Sequence, residues 1–119
     1  MKILIADDSA SIRKRLNAII EKIAKGSEII HAQNVQEAIE KALAFEPDLT
    51  ILDIRMPGGS GIDVLKELKA RRPGATVIML TNYPYPQYKE KCIKEGATFF
   101  FDKSTEFERV IKVVKEVVQ

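Results

Sequence analysis

Ile3-Leu4-Ile5-Ala6-Asp7-Asp8, near the start of the chain, is an apolar run cut off by two carboxylates. Leu49-Thr50-Ile51-Leu52 runs in the same way into Asp53. Phe99-Phe100-Phe101 is followed, after Asp102, by Lys103, and Val77-Ile78-Met79-Leu80 ends at Thr81. Short, near-continuous apolar runs suit strands buried on both faces, as in a parallel sheet covered by helices. The C-terminal ends of such strands share one edge, and ligand sites form in the crevice there. If these runs are parallel neighbours, three carboxylates, a hydroxyl and an ammonium meet at one spot. That set suits a divalent cation and a phosphoryl group.

Working outward, the segments between these runs read as helices. Ser9 is a good N-cap, and Ile12, Leu16, Ile19, Ile20 and Ile23 recur at helical spacing up to Gly26. Glu28-Ile29-Ile30-His31-Ala32 reads as a further strand. Asn34 and Glu37 have capping-box spacing and open a helix broken at Glu46-Pro47-Asp48. Met56-Pro57-Gly58-Gly59-Ser60-Gly61 reads as a turn-rich loop, and Ile62, Leu65 and Leu68 begin a helix that stops before Pro73-Gly74. Pro84 and Pro86 delay the fourth helix to about Gln87, so it is expected to be short and to end near Gly96. Ser104 or Thr105 is the expected cap of a last helix, with Glu106 and Glu108 in its first turn. That helix is rich in valine, but its charged residues restore one wet face. Strands alternating with helices predict an α/β sandwich with right-handed crossovers.

The 119 residues suffice for one domain with a real core, placed at residues 1–119. A net charge of +2, with both signs interleaved, gives no case for nucleic acid as a direct partner. The densest basic cluster, Arg13-Lys14-Arg15, reads as a solvated helix face. Cys92 is alone, so no internal disulfide can form, and a reducing cytoplasm is the expected location. No apolar stretch approaches the roughly 20 residues of a membrane span.

Three clustered carboxylates repel one another, and a hard divalent cation relieves this. Oxygen ligands select magnesium, with manganese as the alternative, over zinc. Magnesium takes only one or two protein carboxylates, which leaves one aspartate free to act as a nucleophile. Each residue has a local explanation as well. Asp7-Asp8 could cap a helix, Asp53 could serve a turn, and Lys103 could be a solvated loop lysine. Their joint placement at the ends of different strands is what local explanations account for poorly.

The whole chain resembles the receiver domain of two-component response regulators. The resemblance rests on Asp7-Asp8 after the first strand, Asp53 followed by Met56-Pro57 and Gly61, Thr81, and Lys103, with Gly96-Ala97 between the last two. It implies a flavodoxin-like three-layer sandwich, a doubly wound five-stranded parallel sheet with five helices. It implies Asp53 as acceptor of a phosphoryl group from the phosphohistidine of a sensor histidine kinase or phosphotransfer protein. Asp8 would be a direct magnesium ligand, Asp7 a ligand through water, and the backbone carbonyl of Arg55 another ligand beside Asp53. Lys103 and Thr81 would bind the phosphoryl group. Movement of Thr81 and burial of Phe100 would carry the signal to the surface of the fourth helix, fifth strand and fifth helix. A downstream protein or a second copy of the chain would bind there, the protein being a monomer or a phosphorylation-dependent homodimer.

Several positions depart from the family pattern. Ser104 replaces a common proline, and Asn82 stands where a small residue is usual. Arg55 and Tyr83 occupy variable positions flanking the phosphoryl site. Pro84 and Pro86 alter the output face, and Phe100 has no hydroxyl, so its switching rests on packing. His31 lies on a short strand and lacks the helical presentation of a relay histidine. Two competing readings are weaker. An aspartate-based phosphatase would place a second aspartate where Arg55 stands, so the chain is expected to be a signalling switch rather than an enzyme. A passive, unphosphorylated module would lose the acidic pair, the acceptor or the lysine, all of which are present. A dinucleotide-binding domain is excluded because no Gly-x-Gly-x-x-Gly follows the first strand.

Overall fold

Buried, β-rich segments pair side by side in the computed structural model, which describes residues 1–118. The strands are β1 (Lys2–Ala6), β2 (Glu28–Ala32), β3 (Leu49–Leu52), β4 (Arg55–Met56), β5 (Gly59–Ser60), β6 (Thr76–Thr81) and β7 (Phe99–Asp102). The helices are α1 (Ala10–Ile23), α2 (Val35–Phe45), α3 (Gly61–Arg71), α4 (Pro86–Lys94) and α5 (Phe107–Val117). Five strands form one parallel sheet in the order β2-β1-β3-β6-β7. The chain therefore winds outward from β1 in both directions and places helices on both faces. The α/β sandwich expected from the alternation is the fold observed, in the doubly wound three-layer form that the resemblance implied.

The pleat divides each strand between two cores. Leu4, Ala6, Leu52, Val77, Met79 and Phe100 face α2, α3 and α4. Ile3, Ile5, Ile51, Ile78, Leu80 and Phe101 face α1 and α5. Ile3, Leu4, Ile5, Leu52 and Ile78 have no exposure at all, and each such side chain contributes about 1.5–3 kcal/mol by leaving water. This two-sided burial is why the strand sequences are apolar runs rather than alternating patterns.

Three local expectations need correction. The loop 56–61 contains an antiparallel hairpin of two-residue strands, β4 with β5, whose turn carries Gly58 at φ 92° and whose second strand opens on Gly59 at φ 145°. The last helix is capped by neither Ser104 nor Thr105. Those residues form a turn in which the Ser104 N–H donates to Asp102 Oδ1, so α5 begins after Glu106 with Glu108 in its first turn. The cluster Arg13-Lys14-Arg15 is not uniformly solvated. The Arg13 guanidinium donates to the Asp7 carbonyl at 2.6 Å, and the Arg15 guanidinium lies 3.9 Å from the centre of the Phe107 ring. The fourth helix is short as expected, nine residues, and begins one residue early because Pro86 suits the first helical position.

No helix among the described residues is long and apolar enough to cross a membrane.

Candidate functional site

The register of the sheet builds the site. Ala6 pairs with Leu52, so Asp7 and Asp53 are the next residues on adjacent strands. The backbone ladder continues past them: the Asp53 N–H donates to the Ala6 carbonyl at 2.9 Å, and the Asp7 N–H to the Ala32 carbonyl at 3.0 Å. On the other side Thr81 pairs with Asp102, and the Lys103 N–H donates to the Thr81 carbonyl at 2.9 Å. Four strand ends thus deliver Asp7, Asp53, Thr81 and Lys103 to one edge, with Asp8 following in the β1–α1 connection.

The Lys103 ammonium sits between two carboxylates, 2.7 Å from Asp7 Oδ2 and 2.9 Å from Asp53 Oδ2. All three side chains are nearly withdrawn from solvent. The other oxygens also have donors: the Ser9 N–H reaches Asp7 Oδ1 at 2.9 Å, and the Ile54 N–H reaches Asp53 Oδ1 at 2.8 Å. Asp8 differs, being exposed and taking no hydrogen bond from the described residues. Burial pushes the Asp53 carboxyl above its ordinary value of 3.8; Lys103 offsets part of this and the nearby Asp7 adds to it. For Lys103 burial disfavours the charge, but the hydrogen bonds to Asp7 and Asp53 outweigh it and raise its pKa. One ammonium thus leaves the acidic cluster incompletely neutralised.

Asp7, Asp8 and Asp53 each offer a carboxylate oxygen, and these lie within 4.8 Å of one another. The donors are all oxygen and strongly charged, and one carboxylate is free of hydrogen bonds. That chemistry fits a hard divalent cation such as magnesium or manganese. Both oxygens of Asp7 and both of Asp53 accept from protein N–H groups, which leaves Asp8 the carboxylate best placed for direct ligation. Arg55 lies two residues beyond Asp53, at the start of the hairpin.

Thr81 is fully buried, and its Oγ1 accepts from the Tyr83 N–H at 3.0 Å. Phe100 is only 9% exposed and packs in the core of the α2–α3–α4 side, with Tyr88 against that core. The ring is therefore buried in this structure. His31 lies apart from the acidic cluster, and its Nε2 is 2.8 Å from Asn17 Oδ1.

Two contributions escaped sequence reasoning. Gly61 was legible as a turn residue and as part of the family pattern, but its close approach was not: a Cβ there would stand 1.8 Å from the Asp53 carbonyl oxygen. The missing side chain lets α3 abut the backbone of Asp53, where the Gly61 N–H donates to the Ile54 carbonyl at 2.6 Å. The capping box of α3, Ser60 with Asp63, had a signal in its spacing.

The family model described as response regulator receiver domain matches residues 3–115. The chain is 35% identical over 117 residues to the chemotaxis protein CheY of Thermotoga maritima, covering 98% of this chain and 96% of that protein. It is 32% identical over 117 residues to the transcriptional regulatory protein LnrK of Bacillus subtilis, covering 98% of this chain but only 53% of that one. Among solved structures, a CheY-like response regulator receiver domain protein from Methanospirillum hungatei superposes with a TM-score of 0.89. That match is 26% identical and covers 98% of this chain and 92% of the other.

Proposed function

The chain belongs to the response regulator receiver domain family, and we propose that Asp53 is its phosphoryl acceptor in a magnesium-dependent reaction. The observation that carries this reading is the Lys103 ammonium held 2.9 Å from Asp53 and 2.7 Å from Asp7, in a cluster with one cation too few. The donor would be a phosphohistidine on a sensor histidine kinase or phosphotransfer protein. An Asp53 carboxylate oxygen attacks phosphorus and the phosphorus–nitrogen bond breaks. Its electron pair stays on the imidazole, which leaves neutral because its other nitrogen carries the proton.

Asp8, Asp53 and the backbone carbonyl of Arg55 would hold the cation, with Asp7 acting through water. When bound, magnesium or manganese supplies neutralisation of the carboxylates and of the phosphoryl oxygens. Lys103 is placed to exchange its bond with Asp53 for one with the phosphoryl group. Thr81 would turn its hydroxyl to the phosphoryl group, releasing the Tyr83 N–H. Coupled packing around Phe100 would pass this change to the surface of α4, β7 and α5, a local charge event biasing a two-state element. A downstream protein, or a second copy of the chain, would read that surface. The chain acts on its own aspartate and would work in a reducing cytoplasm. Residues 1–119 form the one phospho-accepting domain.

The test is intact-mass spectrometry after incubation with acetyl phosphate and magnesium, beside Asp53→Ala. One phosphoryl group is expected on the parent chain, absent from the variant and absent without magnesium. A parent chain that stays unmodified under conditions that preserve acyl phosphates refutes the reading.

A further inference from the structure

β2 is an outer strand of the sheet, paired with β1 on one side and open on the other. The Glu28 N–H donates to the Met1 carbonyl, and the Ala32 carbonyl accepts from Asp7, so both residues turn their backbone toward β1. By the alternation of a ladder Ile30 does the same, and Ile29 and His31 turn their N–H and C=O groups outward. Among the described residues one of those four groups takes a partner: the His31 carbonyl accepts from the Lys41 ammonium. Proline, a bulge or several charges ordinarily blunt such an edge. β2 contains no proline, and its pairing with β1 is unbroken over five residues. Its guard is one flexible lysine. An open groove of about 570 Å³ follows the edge, lined by Ile29, Ile30, His31, Lys41, Ala44 and Phe45.

The edge is complementary to itself. Ile30 and Ala32 face the α2 side, with Glu28 on that face by alternation, while Ile29 and His31 face α1, where His31 bonds Asn17. A second copy turned about a two-fold axis at Ile30 runs antiparallel to the first. Ile29 of each copy then lies opposite His31 of the other, and they exchange four N–H···O=C bonds. This register alone pairs both outward residues within the strand. Ile30 meets its counterpart at the axis, beside Ala44 and Phe45. Glu28 of one copy falls opposite Ala32 of the other, one residue beyond the carbonyl that Lys41 guards. Glu28 is exposed and joins no ion pair among the described residues. Lys41 already lies 3.0 Å from Glu37. Released from the His31 carbonyl, it would bridge Glu37 and the incoming Glu28, twice over by symmetry.

We propose that two copies of the chain join antiparallel through their β2 edges, Glu28 of each paired with Lys41 of the other, to make one continuous sheet. β2 and β7 are opposite edges of the five-stranded sheet. The joint therefore leaves α4, β7 and α5 of both copies facing outward and free. It forms without phosphorylation and does not rest on Asp53 being the acceptor.

The experiment is sedimentation equilibrium of the unphosphorylated chain at concentrations up to about 0.5 mM. Four backbone bonds and a short apolar contact make a weak pair, so a monomer–dimer equilibrium with a dissociation constant of roughly 10 to 100 μM is expected. Glu28→Lys and Lys41→Glu each bring like charges together and are expected to weaken association about tenfold. The double variant Glu28→Lys/Lys41→Glu restores opposite charges and recovers most of it, a reversal that a merely structural effect would not produce. Ile29→Pro removes one outward N–H from each copy at an edge position that tolerates proline, and is expected to abolish the dimer. Thermal melting of every variant separates lost association from lost folding. Asp53→Ala associates as the parent does. A parent that stays monomeric throughout the range, or that dimerises only when phosphorylated, overturns the proposal. So does association that survives both single charge variants or Ile29→Pro, or that the double variant fails to recover, since the contact then lies on another surface.

Discussion

At Gly61 the backbone of α3 meets the backbone just after β3 with no space between, since a Cβ would lie 1.8 Å from the Asp53 carbonyl oxygen. Unlike a crowded flexible side chain, a backbone carbonyl directly after a central strand cannot step aside. Gly61→Ala is therefore expected to cost about 3 kcal/mol, at the upper end for overpacking, and to displace Asp53 from Lys103. Urea unfolding checks the first part, and a loss below about 1 kcal/mol would contradict it. His31 offers a second residue-scale prediction. Burial, followed by the charges of Arg13 and Lys41, lowers its pKa from the ordinary 6.5, while its Nε2 pairs with Asn17. A depressed value means the folded state favours the neutral ring. Its contribution to stability is complete above 6.5 and is lost as the pH falls through the folded-state value. The chain has one histidine, so a single imidazole resonance is expected to titrate below 6.5. His31→Asn is expected to flatten the pH dependence of the urea midpoint in that window. An unaltered slope in the variant would show that other groups set it.

At the scale of elements, α4 is the least anchored. It buries one residue, Cys92, whereas α3 buries Gly61, Val64, Leu65 and Leu68. Its N-cap, Tyr85, makes no side-chain cap bond. Local opening of α4 is thus expected to precede global unfolding. Burial pushes the Cys92 thiol up to about 11, so a docked α4 keeps it protonated and unreactive. Labelling by an aromatic disulfide reagent is expected to be slow, with a shallower dependence on urea than global unfolding has. Labelling that tracks global unfolding at every urea concentration would show that α4 does not open alone. Periodicity made the five helices and the sheet strands legible, because each is long enough to show an apolar face or run. The same apolar runs located Asp7, Asp53, Thr81 and Lys103, since parallel strands must share an edge. What was not legible arises from contacts between distant segments. The β4–β5 hairpin is too short to carry a pattern. The cap of α5 moved from Ser104 to Glu106 because Asp102 binds the Ser104 N–H. Arg13 looked solvated because nothing local reveals that the Asp7 carbonyl turns toward it.

For the whole molecule, the acidic edge is a store of unfavourable charge that one lysine relieves in part. A divalent cation that binds there binds the folded chain alone, so it is expected to raise stability. The gain reaches about 2.7 kcal/mol when magnesium stands at 100 times its dissociation constant. Thermal melting with and without magnesium measures it, and Asp8→Asn is expected to lose most of the shift. An equal shift in parent and variant would place the bound cation elsewhere. The chain spans nearly all of the Thermotoga CheY but about half of LnrK. The corner after β6, where the Tyr83 N–H bonds the Thr81 hydroxyl, has a last consequence. Tyr83, Tyr85 and Tyr88 are all the tyrosines in the chain, and it has no tryptophan. Its intrinsic ultraviolet emission therefore comes chiefly from one cluster, in which the Tyr83 and Tyr85 ring centres lie 6.2 Å apart, those of Tyr85 and Tyr88 5.6 Å apart, and the Arg55 guanidinium 4.0 Å from the Tyr83 ring. Without any dye or label, the protein is its own optical gauge of that corner.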